Sequence, residues 1–215
     1  MLPIGDDNTG RKIAPIVTYL LIFLNLIFFF LELNGGNAFV EKWAFIPSRF
    51  LDNPSADFPT LFTSMFMHAG WMHLLGNMLY LWIFGDNVED RFGHVKFVIF
   101  YLLCGIVALF AQLAFNPESS IPNVGASGAI SGVLGAYLVL FPKGRIRVLM
   151  GRGVIHAPAL IVIGLWIILQ LFSGIGSLQN TGQQGGVAYM AHIGGFVAGL
   201  IFAFLFRGKN VQNMS

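Results

Sequence analysis

The chain has 215 residues, of which 56% are hydrophobic and only 10% are charged, and its formal net charge is +2. A typical soluble domain carries about 25% charged residues, so this composition, with a mean hydropathy of +0.73, excludes a soluble globule and predicts an integral membrane protein. The small net charge gives no sign of a nucleic-acid partner, because the basic residues cluster at the ends of apolar segments. A single cysteine, Cys104, excludes an intramolecular disulfide.

Six apolar segments, most of them about as long as a membrane-spanning helix, follow one another along the chain. They are residues 13–33, 61–84, 97–115, 126–141, 156–173 and 187–206. Alternating strand patterns are absent from them, and lipid offers no partner to an unpaired backbone group, so each segment is predicted to be a helix. The predicted fold is an all-α polytopic membrane protein, with one six-helix domain (13–206) between two short cytoplasmic tails (1–12 and 207–215).

Basic residues are distributed very unevenly among the connecting segments. If six helices alternate in direction, ten of the twelve basic residues fall on one side: Arg11, Lys12, Arg91, Lys96, Lys143, Arg145, Arg147, Arg152, Arg207 and Lys209. Only Lys42 and Arg49 fall on the other side, and the 116–125 and 174–186 loops there carry none. The positive-inside rule therefore predicts that both termini are cytoplasmic, as expected for a multi-pass protein of a prokaryotic cytoplasmic membrane.

Two parts of the outer side are unusual. The 34–60 loop is long and mixes aromatic with charged residues, which is typical of a segment lying at the membrane interface. The fourth apolar segment, 126–141, would cover only about 24 Å at 1.5 Å per residue and cannot cross a hydrocarbon core about 30 Å thick. Its start is therefore predicted to lie below the outer surface, inside a cavity.

Polar side chains inside apolar segments are costly and are candidates for function. Ser127 opens the fourth segment between Gly125 and Gly128. A helix N-terminus offers free N–H groups and the positive end of the helix dipole to an oxyanion, and flanking glycines let a substrate backbone approach. A lone serine at a helix start is more often a cap or a packing residue, so Ser127 needs a general base to be a nucleophile.

His192 is the candidate base, although a single histidine here is also explained by packing. It shares a helix face with small residues at Ala188, Gly195, Gly199 and Ala203. A similar face runs along the fourth segment through Gly128, Gly132 and Gly135. Two such faces favour close helix packing, which would bring the His192 imidazole to the Ser127 hydroxyl.

His73 and Asn77 are four residues apart and project from one face of the second segment. Near a nucleophile, both side chains can donate hydrogen bonds to an oxyanion. His68, one turn earlier, is interpreted as structural or as lining water. No acidic residue follows Glu118, so a serine–histidine dyad is predicted rather than a triad. There is no H-E-x-x-H zinc motif, and neither a metal nor a cofactor is expected.

Four ordered stretches of the sequence resemble the rhomboid family of intramembrane serine proteases. They are MHAGWMHLLGN (67–77), FGDNVE (84–89), GASG (125–128) and AHIGG (191–195). Each stretch is weak alone, but the order and spacing of all four match, and the resemblance covers about residues 10–206.

The resemblance implies a six-helix core that cuts membrane-spanning segments of other membrane proteins near their outer ends. It implies Ser127 as nucleophile, His192 as general base, and an oxyanion hole formed by His73, Asn77 and the Ser127 backbone N–H. Glu89 resembles a structural carboxylate at the cytoplasmic end.

Two positions depart from the family pattern. Many members carry an adjoining Trp-Arg pair in the first outer loop, whereas this chain has Trp43 and, separately, Arg49. Some members have a tyrosine that stacks on the histidine, four residues after the nucleophile, where this chain has Ser131.

Two other functions are weighed against proteolysis. A rhomboid-like protein can bind membrane clients without cutting them, but the presence of both Ser127 and His192 favours the enzyme. A six-span transporter or channel predicts paired charges or broken helices near the membrane midplane in two corresponding halves, and the sequence shows neither.

Overall fold

The computed structural model describes residues 2–179 and 188–206. The predicted C-terminal tail (207–215) and most of the predicted 174–186 loop lie outside the described residues. The elements run in chain order as β1 (Leu2–Asp6), α1 (Ile16–Trp43), α2 (Pro47–Asp52), α3 (Pro54–Asp57), α4 (Thr60–Thr63), a 3-10 turn (Ser64–Phe66), α5 (Trp71–Phe92), α6 (His94–Phe115), α7 (Ser127–Leu140), β2 (Arg145–Met150), β3 (Gly153–Pro158), α8 (Ala159–Gln179) and α9 (Tyr189–Phe206).

The six long helices, α1 and α5 to α9, overlap the six predicted apolar segments in order. Three of them, α1, α6 and α9, are long and apolar enough to cross a membrane, and α7 and most of α8 are shorter apolar helices. The protein is therefore a mostly helical membrane protein with several apolar helices, while six membrane crossings stay a prediction.

The second predicted segment, 61–84, is placed too early. Its first residues form α4 and the 3-10 turn, and the long helix α5 starts only at Trp71. Between them, the backbone N–H of His68 donates to the buried carboxylate of Glu32 on α1 (2.9 Å). This side-chain acceptor takes the place of a helical carbonyl, so the chain can leave the helix here. At its other end α5 stops at Phe92. The next residue, Gly93, has a φ of +76°, a conformation that favours glycine, and it separates α5 from α6.

The prediction of an all-α fold is wrong in one respect, since β1, β2 and β3 form a three-stranded antiparallel sheet. Residues 2–6 of the predicted N-terminal tail are its first strand, which pairs Asp6 with Ile146. In β2, Ile146 and Val148 are buried and alternate with the exposed Arg145 and Arg147, the period of two that a half-buried strand requires. Apolar length alone does not reveal such short strands.

Helix α7 lies at the centre of the bundle. It packs against α9, α6 and α5, and all but three of its fourteen residues are buried. Small residues at Gly128, Gly132 and Gly135 allow α6 and α9 to approach its backbone. Ser127, the first residue of α7, is therefore held at the end of the best-packed helix.

Candidate active site

The segment that leads into Ser127 is fixed by main-chain hydrogen bonds. Asn123 and Phe45 exchange backbone hydrogen bonds, and the N–H of Gly125 donates to the carbonyl of Ser64 (2.9 Å). Gly125 has a φ of +131°, and a Cβ atom there would lie 2.8 Å from Cε1 of His73. Glycine is therefore required both by the backbone conformation and by the closeness of the His73 ring.

Ser127 and His192 are brought together by the packing of α7 and α9. The Ser127 Oγ atom lies 2.8 Å from Nε2 of His192, which is a hydrogen-bonding distance, and His192 is buried. A Cβ atom on Gly195 would lie 2.0 Å from the carbonyl oxygen of Gly128. The two predicted glycine faces are thus in backbone contact, and this contact sets the distance between the two side chains.

The two candidate residues of the second predicted segment lie beside the Ser127–His192 pair. His73 and Asn77 line one cavity together with Ser127 and His192. Asn77 is 8% exposed, and its Nδ2 atom has no hydrogen-bond partner among the described residues. A buried amide donor without a partner costs free energy, so a free N–H at this place is suited to a ligand with a developing negative charge.

This cavity, of about 400 Å³, lies between α5 and α8. Met72, Gly76 and Tyr80 line it from α5, and Trp166, Gln170 and Ser173 line it from α8. The cavity therefore places Ser127 and His192 beside a space that is bounded by α5 and α8.

Two residues of α8 that the sequence analysis missed contact His192. Oε1 of Gln170 lies 2.6 Å from Nδ1 of His192, and the Trp166 ring lies 5.9 Å from the imidazole with 36° between the planes. Gln170 is an amide inside an apolar helix, so the rule that singled out His192 also applies to it. Trp166, four residues earlier, lies on the same helix face.

Ser131 does not take the place of the tyrosine found in some relatives. It is fully buried, and its Oγ donates to the carbonyl of Ser127 (2.6 Å) within α7. The aromatic ring beside the histidine is Trp166, supplied by a different helix.

The 34–60 loop is anchored without a Trp-Arg pair. The Arg49 guanidinium pairs with the Asp57 carboxylate (2.6 Å) and donates to the carbonyls of Ala44 (2.7 Å) and Glu41. The carbonyl of Trp43 accepts from the Thr63 hydroxyl (2.6 Å). Much of this predicted loop is helical, as the end of α1 and as α2 and α3.

Glu89 lies in α5 far from the cavity, and its carboxylate is fully buried. It accepts from the backbone N–H groups of Val17 (2.9 Å) and Thr18 (2.8 Å) and from the Thr18 hydroxyl (2.7 Å). Nδ1 of His94 lies 2.6 Å away. These bonds fix the start of α1 to the end of α5, the contacts of a structural carboxylate.

His68 lies behind His73, with 5.1 Å between the ring centroids. Both of its ring nitrogens are buried without a partner among the described residues. It does not line the cavity that holds Ser127. Across the part of the chain that the structure describes, no group of three or more His, Cys, Asp or Glu side chains is placed to hold a metal ion.

Comparison with known proteins matches residues 55–209 to the Rhomboid domain. The rhomboid protease GluP of Bacillus subtilis is 37% identical over 190 residues, which are 86% of this chain and 34% of that protein. RHOMBOID-like protein 1 of Arabidopsis thaliana is 33% identical over 147 residues, 68% of this chain and 34% of that protein. The putative rhomboid protease YdcA of Bacillus subtilis is 28% identical over 201 residues, 92% of each chain. This chain spans about a third of the length of the first two relatives.

Proposed function

The chain belongs to the rhomboid family, and on that premise we propose that it is an intramembrane serine endopeptidase. Its substrates are membrane-spanning segments of other membrane proteins, cut near their outer ends. The observation that carries the proposal is the 2.8 Å hydrogen bond between Ser127 Oγ and His192 Nε2. This pair lies at a cavity that is also lined by His73 and Asn77.

The chemistry follows from the roles of these groups. Ser127 Oγ attacks the scissile carbonyl carbon while its proton passes to Nε2 of His192. The negative charge that develops on the carbonyl oxygen is stabilised by Asn77, His73 and the backbone N–H of Ser127. The C–N bond then breaks as Nε2 returns the proton to the leaving amine. A water molecule, deprotonated by His192, hydrolyses the acyl-enzyme and restores both side chains.

The position of Ser127 in the membrane supports cleavage near an outer end. Helix α7 has 14 residues, about 21 Å at 1.5 Å per residue. If its C-terminal end reaches the cytoplasmic surface, its first residue lies below the outer surface of a core about 30 Å thick. We place both termini in the cytoplasm, as the positive-inside rule predicts, with six crossings of a prokaryotic cytoplasmic membrane.

The test is cleavage of a single-span substrate by the full chain reconstituted in lipid, together with labelling by a fluorophosphonate probe. Ser127→Ala is expected to abolish both cleavage and labelling while leaving the thermal midpoint within a few degrees of the wild type. Ser131→Ala is the matched control, because it removes a hydroxyl one turn away that bonds within α7, and it is expected to keep both activities.

Labelling that survives in Ser127→Ala and disappears in Ser131→Ala would move the nucleophile to Ser131. A wild-type protein that binds the substrate but neither cuts it nor reacts with the probe would be a client-binding protein, and the proposal would be wrong.

A further inference from the structure

The two ring nitrogens of His192 are contacted from two different helices. Nε2 lies 2.8 Å from Ser127 Oγ on α7, and Nδ1 lies 2.6 Å from Gln170 Oε1 on α8. His192 itself is on α9 and is buried. The imidazole is therefore held along its long axis between a hydroxyl and an amide carbonyl.

The side-chain oxygen of Gln170 decides which ring nitrogen of His192 carries the proton. A neutral imidazole has one N–H and one lone pair, and an amide oxygen can only accept a hydrogen bond. A 2.6 Å contact with this oxygen is a hydrogen bond only when the proton is on Nδ1. The lone pair is then on Nε2, directed to the Ser127 hydroxyl, which is the tautomer a general base needs.

We propose that Gln170 is a positioning residue that holds His192 in the tautomer and orientation for accepting the Ser127 proton. The inference rests on the proposed function and adds a third member to the predicted dyad. In a serine–histidine–aspartate triad a buried carboxylate has this orienting role, whereas here the acceptor is a neutral amide.

The neutral acceptor fits the surroundings of the site. No acidic residue follows Glu118 in the sequence, and an ionised carboxylate at this partly buried position would lose part of its hydration, which costs free energy. An amide accepts the same hydrogen bond without that cost. The Trp166 ring is on the same helix as Gln170 and lies 5.9 Å from the imidazole of His192, whose rotation it restricts.

Placing the acceptor on α8 makes the orientation of His192 depend on that helix. The α7 and α9 backbones are in direct contact through glycines, so the Ser127–His192 distance is rigidly set. Helix α8 borders the cavity. A Cβ atom added at its Gly164 would meet open space, and one added at Gly174 would meet side chains of α9 rather than backbone. A shift of α8 would break the Gln170 bond while leaving the other two helices in place.

The experiment compares three variants of the full chain in lipid. Gln170→Met keeps the length of the side chain and removes the acceptor, and Gln170→Glu restores an acceptor oxygen with a charge. Leu169→Met is the matched control, because Leu169 is the neighbouring residue and is 63% exposed. The readouts are kcat and KM for a single-span substrate across pH, the rate of fluorophosphonate labelling at Ser127, and the thermal midpoint.

We expect Gln170→Met to lower kcat and the labelling rate by about 10- to 100-fold, the scale of a misplaced catalytic group, with KM changed less than about 3-fold. Gln170→Glu should recover most of the rate at high pH. Its acid limb should move to higher pH, because a carboxylate beside Nδ1 favours the imidazolium. Leu169→Met should match the wild type.

Three results would separate the possible failures. Gln170→Met labelled as fast as the wild type would overturn the positioning role while leaving the protease intact. Folded Met and Glu variants that are equally slow at every pH, or a Glu variant with an unshifted acid limb, would reduce Gln170 to a packing residue. A wild type that the probe does not label at all would overturn the proposed function itself.

Discussion

The carbonyl oxygen of Gly132 on α7 occupies the space beside Gly199 on α9, so that a Cβ atom added at Gly199 would lie 2.0 Å from it. No side-chain rotation relieves this contact, because the obstacle is backbone. Gly199 lies seven residues after His192, two turns along the same helix face. The contact between Gly132 and Gly199 therefore controls how closely the helix of the candidate base approaches the helix of the candidate nucleophile.

Gly199→Leu is expected to abolish cleavage although it removes no chemical group. The added side chain forces α7 and α9 apart by an ångström or more, and a displacement of about 1 Å can cost on the order of 10²-fold in rate. The measurement is kcat/KM with a single-span substrate, together with the thermal midpoint, which should also fall.

Two leucine substitutions are the controls for Gly199→Leu. Val197 is on the same helix and is 46% exposed, and Gly164 on α8 has open space where a Cβ atom would be added. Val197→Leu and Gly164→Leu are expected to keep near wild-type cleavage. Equal rates for Gly199→Leu and Val197→Leu would show that α7 and α9 do not pack through this face.

Asn77→Ala is expected to lower kcat by about 10²- to 10³-fold, the usual cost of one lost oxyanion donor, with little change in KM. Its Nδ2 atom is buried beside the cavity without a partner in the described structure, so the substitution removes a donor and breaks no existing hydrogen bond of that atom. Steady-state kinetics on the reconstituted protein measure the effect.

Asn77→Asp separates donation from packing, because it keeps the shape of the side chain and replaces the N–H donor with oxygen. It should be at least as slow as Asn77→Ala, since a carboxylate repels the developing oxyanion. An Asp variant as fast as the wild type would mean that the side chain does not donate to the reacting carbonyl.

The parts of the site that could be predicted from the sequence are those carried by short-range spacing. Helix periodicity placed the glycines at 195 and 199 on the same face as His192, and small residues on two faces favoured the close packing that the structure contains. Gln170 was missed because nothing near it in sequence suggests a partner: the histidine it contacts is 22 residues away on another helix.

The misplaced start of the second segment and the missed strands depend on contacts between residues that are far apart in the sequence. The carboxylate of Glu32 on α1 accepts from the backbone N–H of His68, 36 residues away, in the turn before α5. The strands β1 and β2 pair residues more than 130 positions apart, and such pairing has no local signal. Hydropathy windows detect buried helices well and short, half-buried strands poorly.

The proposed orientation of the chain can be tested with single cysteines and an impermeant thiol reagent, in a Cys104→Ala background. A cysteine at Glu118, in the segment before α7, is expected to react in intact cells. A cysteine at Arg152, between β2 and β3, should react only after permeabilisation, because basic residues stay on the cytoplasmic side. Labelling of Arg152→Cys but not Glu118→Cys in intact cells would contradict the charge argument.

The Asp6 carboxylate connects α5, which carries His73 and Asn77, to α7, which begins at Ser127. It accepts hydrogen bonds from Nδ2 of Asn87 on α5 (2.5 Å) and from the hydroxyl of Tyr137 on α7 (2.9 Å). Burial raises the pKa of Asp6 from its ordinary value of 3.8 to about 7. The hydrogen bond from Tyr137 and the charge of Arg147 act in the opposite direction, and the carboxylates of Asp86 and Asp7 add to the rise.

A raised pKa gives this carboxyl a definite effect on stability. Between about pH 4 and pH 7 the folded chain holds a proton on Asp6 that the unfolded chain has lost, so the free energy of unfolding falls as pH rises through this window and levels off above it. Asp6→Asn has no carboxyl group to titrate at this position. The substitution should therefore reduce the fall of the free energy of unfolding with pH and raise the thermal midpoint at pH 8. Asp7→Asn is the control, since Asp7 is exposed and hydrogen bonds from Thr9 lower its pKa. Thermal midpoints in detergent between pH 4.5 and 8 measure both, and an Asp6→Asn slope equal to that of the wild type would show that Asp6 is already ionised in the folded protein.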